Sequence, residues 1–171
     1  MGFSLKLLIM ITILLFHQNL MAQESAPLGV KVRAAYLYNF TKFVQWPNQQ
    51  KSSMTICLLG AEDVSLLLKS LAKRKPSGKS FNIISDEYGN TSECHILYID
   101  SSVSNIDRVM ANIKDKQILT VSDIESFTAR GGVVGFFLDQ GKLKLEINLT
   151  NARELNINIS SKLLELSRIV K

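Results

Sequence analysis

Downstream of residue 50, short apolar runs alternate with amphipathic segments, and this alternation limits the possible folds more than any other feature of the chain. Residues 54 to 59 (Met-Thr-Ile-Cys-Leu-Leu) are continuously apolar up to Gly60. The segment after them places Val64, Leu67, Leu68 and Leu71 on one helical face, so a strand followed by a helix is predicted. Pro76, Ser77 and Gly78 turn the chain into a strand at about 80–85, and Gly89-Asn90 break it before the apolar run 95–99. Ser102 or Ser104 can cap the next helix, whose stripe is Val103, Ile106, Val109, Met110 and Ile113. A strand at 117–121 follows, and then Ser122 caps a brief helix through about Ala129, stopped by Gly131-Gly132.

The flanks complete the pattern. Val30, Ala34, Leu37, Tyr38, Thr41 and Val44 recur at helical spacing, which predicts a helix over 29–45 ended by Pro47. Residues 133–138 and 142–148 flank Gln140-Gly141 as an antiparallel hairpin. Leu143, Leu145 and Ile147 point inward, and Lys142, Lys144 and Glu146 outward. A helical tail is predicted from 150 to about 170. Parallel strands need crossover helices, so the expected fold is a single α/β, Rossmann-like three-layer domain with a mainly parallel sheet and a C-terminal antiparallel hairpin.

The first residues read as an export signal. Lys6 supplies the positive end, residues 7–16 an uncharged apolar core, and Leu20-Met21-Ala22 a cleavage site before Gln23. The core is shorter than the about 20 residues a span needs, and no cysteine follows it to carry a lipid. A signal peptide at 1–22, a single domain at 23–171 and a periplasmic location are therefore expected. In that oxidising compartment an even cysteine count favours a bridge between Cys57 and Cys94. Both lie in predicted strands, and in a doubly wound order the first and third strands are neighbours, about 4.8 Å apart. The formal charge of +5 is scattered apart from Lys73-Arg74-Lys75, which with export argues against nucleic acid.

Catalytic groups are scarce. After cleavage His95 is the one remaining histidine, too few for a zinc site or a Ser-His-Asp triad, and it reads as a hydrogen-bonded strand-end residue. Ser77-Gly78-Lys79-Ser80 lacks the first glycine of a phosphate loop and precedes a strand instead of a helix. Glu62 and Asp63 at a helix start repel phosphate. No metal and no cofactor are expected. Ligands in open α/β sheets bind at strand carboxyl ends, which makes Asp123, Arg130 and Arg153 the candidate ligand contacts. On that alternative reading, a nucleotide or aromatic small molecule occupies the crevice and the protein feeds a sensor.

Several blocks resemble one family in content and order. They are residues 31–47 (Lys-Val-Arg-Ala-Ala-Tyr-Leu-Tyr-Asn-Phe-Thr-Lys-Phe-Val-Gln-Trp-Pro), 56–60, 94–99, 119–123, Gly131-Gly132, Ile147-Asn148 and 159–164. Together they resemble the YfiR-like family of periplasmic regulatory proteins. The resemblance implies a Rossmann-like domain, no catalysis and a homodimer. It also implies repression of an inner-membrane diguanylate cyclase, or another membrane sensor such as a sensor kinase, with release by an outer-membrane lipoprotein. The family's cysteine pair in the first and third core strands matches Cys57 and Cys94. A second pair near the hairpin has no match here, and Phe136 and Phe137 stand in its neighbourhood. Phe40, Phe43 and Trp46 at the end of the first helix are the candidate partner contacts, with Trp46 before Pro47 expected at the surface.

Overall fold

The computed structural model describes residues 26–47, 53–73, 80–85 and 91–171. The signal at 1–22 and the turns at Pro76-Ser77-Gly78 and Gly89-Asn90 lie outside the described residues. Helix α1 (Leu28–Phe43) buries Val30, Ala34, Leu37 and Phe40, one face at helical spacing. It stops short of Gln45 because Val44 is already extended (φ -118°, ψ 140°) and begins strand β1 (Val44–Gln45). Pro47 adds to this, since the residue before a proline is driven out of helical geometry.

Strand β2 (Ser53–Leu59) is buried from Met54 to Leu59, as a strand covered on both faces must be. Helix α2 (Glu62–Lys73) returns the chain to β3 (Ser80–Ser85). Beyond it come β4 (Ile96–Ile99), helix α3 (Ile106–Ile113), β5 (Leu119–Ser122), a 3-10 turn (Phe127–Arg130) and the hairpin β6 (Val134–Asp139) and β7 (Lys142–Asn148). The main sheet has the order β3-β2-β4-β5-β6-β7, with a last strand, β9 (Ser167–Val170), outside β7. The strands from β3 to β6 are parallel, and β7 is antiparallel to β6. Gln140 and Gly141 close the hairpin with positive φ at both positions (49° and 73°), matching a two-residue turn of the primed kind.

The helical tail expected from 150 to 170 is corrected. The chain instead forms α4 (Leu149–Glu154), β8 (Asn158–Ile159), α5 (Ser161–Leu164) and β9 (Ser167–Val170). Asn156 takes a left-handed conformation (φ 55°) that ends α4. Strand pairing then outweighs local helical pattern: β8 pairs with β1, and β9 lies parallel to β7. The capping expectation at α3 is also corrected. The N-cap is Asn105, while Ser102 donates its backbone N–H to Asp100 Oδ1 at 3.0 Å in the preceding turn.

One face of the sheet carries α1, α2 and residues from α4 and α5, packed on Ile56, Ile96, Tyr98, Val121, Phe136 and Leu145. The other face carries α3 on a smaller cluster that includes Leu59, Leu97, Ile99 and Phe127. This is a mixed three-layer α/β fold, as the alternation predicts. Cys57 and Cys94 belong to the smaller cluster and are disulfide-bonded, with Cα atoms 5.7 Å apart. Gly132 is required by packing, because a Cβ there would lie 2.2 Å from the Phe127 ring.

Candidate functional site

The polar groups at the carboxyl ends of β4 and β5 meet one another. Asp123 follows β5 and accepts from Arg33 Nη2 at 2.9 Å and from the Ser101 backbone N–H at 2.9 Å. Ser122 donates to the Ile99 carbonyl at 2.7 Å and accepts from Ile124 N–H at 3.0 Å, so its hydroxyl ties β5 to β4 instead of capping a helix. Gly60 seals the adjacent turn: with φ +71°, a Cβ there would lie 2.9 Å from Asp100 Cβ. The strand-end crevice is thus crossed by an internal ion pair with largely buried side chains.

Two buried polar atoms at that pair, Tyr98 Oη and Arg33 Nε, have no hydrogen-bond partner among the described residues. Burial drives the Tyr98 hydroxyl far above the ordinary tyrosine range, and the Asp123 charge pushes the same way. The phenol is close enough to Asp123 to feel its charge, yet it makes no hydrogen bond of ordinary geometry.

Asp123, Arg130 and Arg153 do not converge. Asp123 serves the pair with Arg33 at the carboxyl end of β5, whereas Arg130 donates to Asp107 at 2.6 Å and lines a cleft with Ile118 and Thr120 at the opposite end of that strand. Arg153 is exposed on α4. The crevice rule correctly singled out Asp123 as a strand-end group, but it could not see that Arg33, from a helix ninety residues earlier, occupies it. Arg33 was missed, although a cation beside the apolar stripe of α1 was a usable signal.

The aromatic end of α1 is likewise corrected. Trp46 is only 8% exposed and Phe40 0%, so neither presents a surface, while Phe43 is partly buried. The pairing of β1 with β8 folds the segment back onto the sheet, where the Trp46 ring meets His95 edge-on at 6.1 Å. His95 Nδ1 accepts from the Thr55 backbone N–H at 3.2 Å, which fits a hydrogen-bonded strand-end residue.

A second polar cluster went unread in the sequence. On the face of the β6–β7 hairpin turned from the large core, Glu146 accepts from Thr128 Oγ1 and from Arg168 Nε at 2.7 Å and Nη2. Burial pulls the Glu146 carboxyl upward, but the hydrogen bonds from Thr128 and Arg168 and the Arg168 charge outweigh it, and the net shift is downward. Arg168 also lies 4.1 Å from the centre of the Phe137 ring. No group of His, Cys, Asp and Glu side chains among the described residues could hold a metal ion, and no described helix is long and apolar enough to cross a membrane.

These features define a mixed three-layer α/β domain, and the sequence profile of the YfiR/HmsC-like family matches residues 30–168. The chain belongs to the YfiR/HmsC-like family, one of periplasmic, non-catalytic regulators of signalling. No protein of curated function matches it significantly. Among solved structures it resembles a conserved domain protein from Vibrio cholerae O1 biovar El Tor. That likeness has a TM-score of 0.57 at 16% identity, covering 83% of this chain and 60% of the other. It also resembles a Streptococcus pneumoniae protein described as an ABC domain in complex with L-Trp. There the TM-score is 0.54 at 14% identity, covering 78% of this chain and 59% of the other. The chain spans about 60% of the length of the first of these structures. At such identities the likeness concerns the fold alone.

Proposed function

We propose that this protein is a periplasmic, non-enzymatic regulator that represses a membrane signalling protein by direct contact. The target is an inner-membrane diguanylate cyclase, with a sensor kinase as the second candidate. The observation that carries the reading is the family match over residues 30–168. Two features of the chain support it. The strand-end crevice, where an α/β enzyme would place its reacting groups, is crossed by the Arg33–Asp123 pair. The Cys57–Cys94 bridge suits an oxidising compartment. A homodimer acting on the target, and an outer-membrane lipoprotein that releases it, complete the reading.

With Trp46 and Phe40 in the core, the contact needs other apolar groups. Leu138 (74% exposed) on β6 and Leu166 (70% exposed) at the entry to β9 are offered for it. Deleting the gene should raise cyclic-di-GMP, and periplasmic expression of the wild-type chain should restore it. A Leu138→Lys variant of unchanged melting temperature should fail to restore it. Unchanged cyclic-di-GMP on deletion discards the cyclase and leaves the kinase, whose substrate phosphorylation is then the quantity to follow.

A further inference from the structure

A cleft of about 330 Å³ opens between the carboxyl end of α3, the start of β5 and α4, at the end of the sheet away from the Arg33–Asp123 pair. Its volume falls at the lower end of the range for small-molecule sites, about 300–1,000 Å³. The floor is apolar, formed by Met110, Ile113, Ile118 and Leu155. Ile113 and Ile118 are each 3% exposed and belong to the smaller core cluster, so the floor is anchored in packed structure.

The polar groups at the cleft are biased toward donors. Lys114, at the end of α3, has no ion-pair partner among the described residues. Arg130 uses Nη2 for Asp107, which leaves its other N–H groups without a protein acceptor among the described residues. Thr120, 3% exposed, accepts from the Val133 N–H at 2.9 Å, and its own hydroxyl hydrogen has no acceptor among the described residues. The Asn151 amide nitrogen is already committed to the Gly132 carbonyl at 2.8 Å. Against these donors stands one carboxylate, Glu154, on the α4 side. The Arg130 charge is met by Asp107, and Lys114 is the cation of the lining without an ion-pair partner among the described residues; a carboxylate meets such donors with charge-assisted hydrogen bonds.

We infer that this cleft binds a small amphipathic carboxylate, its apolar body on Met110, Ile118 and Leu155 and its carboxylate against Lys114 and Arg130. The site is independent of the proposed partner contact and stands whether or not a cyclase is the target.

The test is an NMR titration of the purified protein with phenylacetate, octanoate and the neutral phenylacetamide. Phenylacetate or octanoate should give saturable amide shifts at Ile113, Thr120 and Gly131. Phenylacetate should bind about tenfold more tightly than phenylacetamide, the scale of one charge-assisted contact. Lys114→Met should bring those two affinities together. Ala111→Trp fills the cleft from an exposed helix position and should abolish binding while leaving the fold unchanged. Absence of saturable shifts at these residues with both carboxylates up to millimolar concentration overturns the inference, as does binding of phenylacetate that is unaffected by Ala111→Trp. Equal affinity for phenylacetate and its amide in the wild-type protein overturns the assigned role of charge.

Discussion

The two faces of the sheet are closed by different means. On one, α1 and α2 and the C-terminal segments bring Leu37, Phe40, Leu68 and Leu163 onto the strands, and burial of large apolar side chains does most of the work. On the other, a single helix of eight residues covers a smaller cluster, and a covalent bridge sits within it. Over β6, β7 and β9 the described residues place no α-helix on that second face, and the Thr128–Glu146–Arg168 network lies there instead. Where helix coverage thins, crosslinks and charge pairs take over from apolar area, and they respond to different conditions. Reduction and acid should therefore act on the thinly covered face, whereas large-to-small substitutions should act most on the thickly covered one.

Four experiments would break or sharpen this contrast, from the largest expected effect to the smallest. Phe40→Ala removes a fully buried ring from the large core and should cost about 3–5 kcal/mol. Denaturant unfolding should show the midpoint falling at unchanged slope. A loss below about 1 kcal/mol would mean that α1 is not integral to the core. Reducing Cys57–Cys94, or replacing both with alanine, should cost about 2–4 kcal/mol, because the open chain regains loop entropy. Equal melting temperatures with and without reductant would remove the bridge from the account of the thin face.

Acid should expose the Glu146 network next. A carboxyl whose folded-state value lies below its unfolded value stabilises the protein above the unfolded value, and that contribution is lost as pH falls through the folded one. Glu146 is lowered from 4.5, so its contribution should be complete at neutral pH and fade only below about pH 4.5. Arg168→Met should lower stability at pH 7 and flatten the acid limb, measured as melting temperature against pH. Parallel curves for the two proteins would contradict the assignment. Tyr98→Phe should have the smallest effect, a change between zero and a gain of about 1 kcal/mol, since it deletes a buried hydroxyl that makes no hydrogen bond of ordinary geometry among the described residues. A clear loss of stability in thermal melts would show that this hydroxyl is hydrogen-bonded in solution, by water or by Asp123.

Much of the fold was legible because period and punctuation are local. The run at 54–59, the stripe at Val64, Leu67, Leu68 and Leu71, and the alternation through Leu143, Leu145 and Ile147 each sit where a strand or helix is found. The cysteine pair was legible because export and sheet order point to the same contact. The C-terminal tail was misread for the opposite reason. Segments as short as Asn158–Ile159 and Ser167–Val170 have too few residues to show a period, and what makes them strands is the presence of β1 and β7 beside them. Trp46 was misplaced in the same way: its neighbours in sequence describe a helix end, and its burial follows from β1 meeting β8.

The candidate sites divide along the same line. Asp123 could be named from its place after an apolar strand, yet its partner Arg33 lies ninety residues away. Arg130 and Arg153 looked equivalent as cations near strand ends, but one joins the cleft at the start of β5 and the other faces solvent. By itself the sequence determined the α/β class with a mainly parallel sheet, the terminal hairpin and the closeness of the first and third core strands, because these rest on hydrophobic period, turn chemistry and the crossover helices that parallel strands need. Only the tertiary structure decided which aromatic groups are buried, how the last twenty residues pair, and which charges meet. Those outcomes depend on contacts between residues far apart in the chain, and no local pattern encodes them.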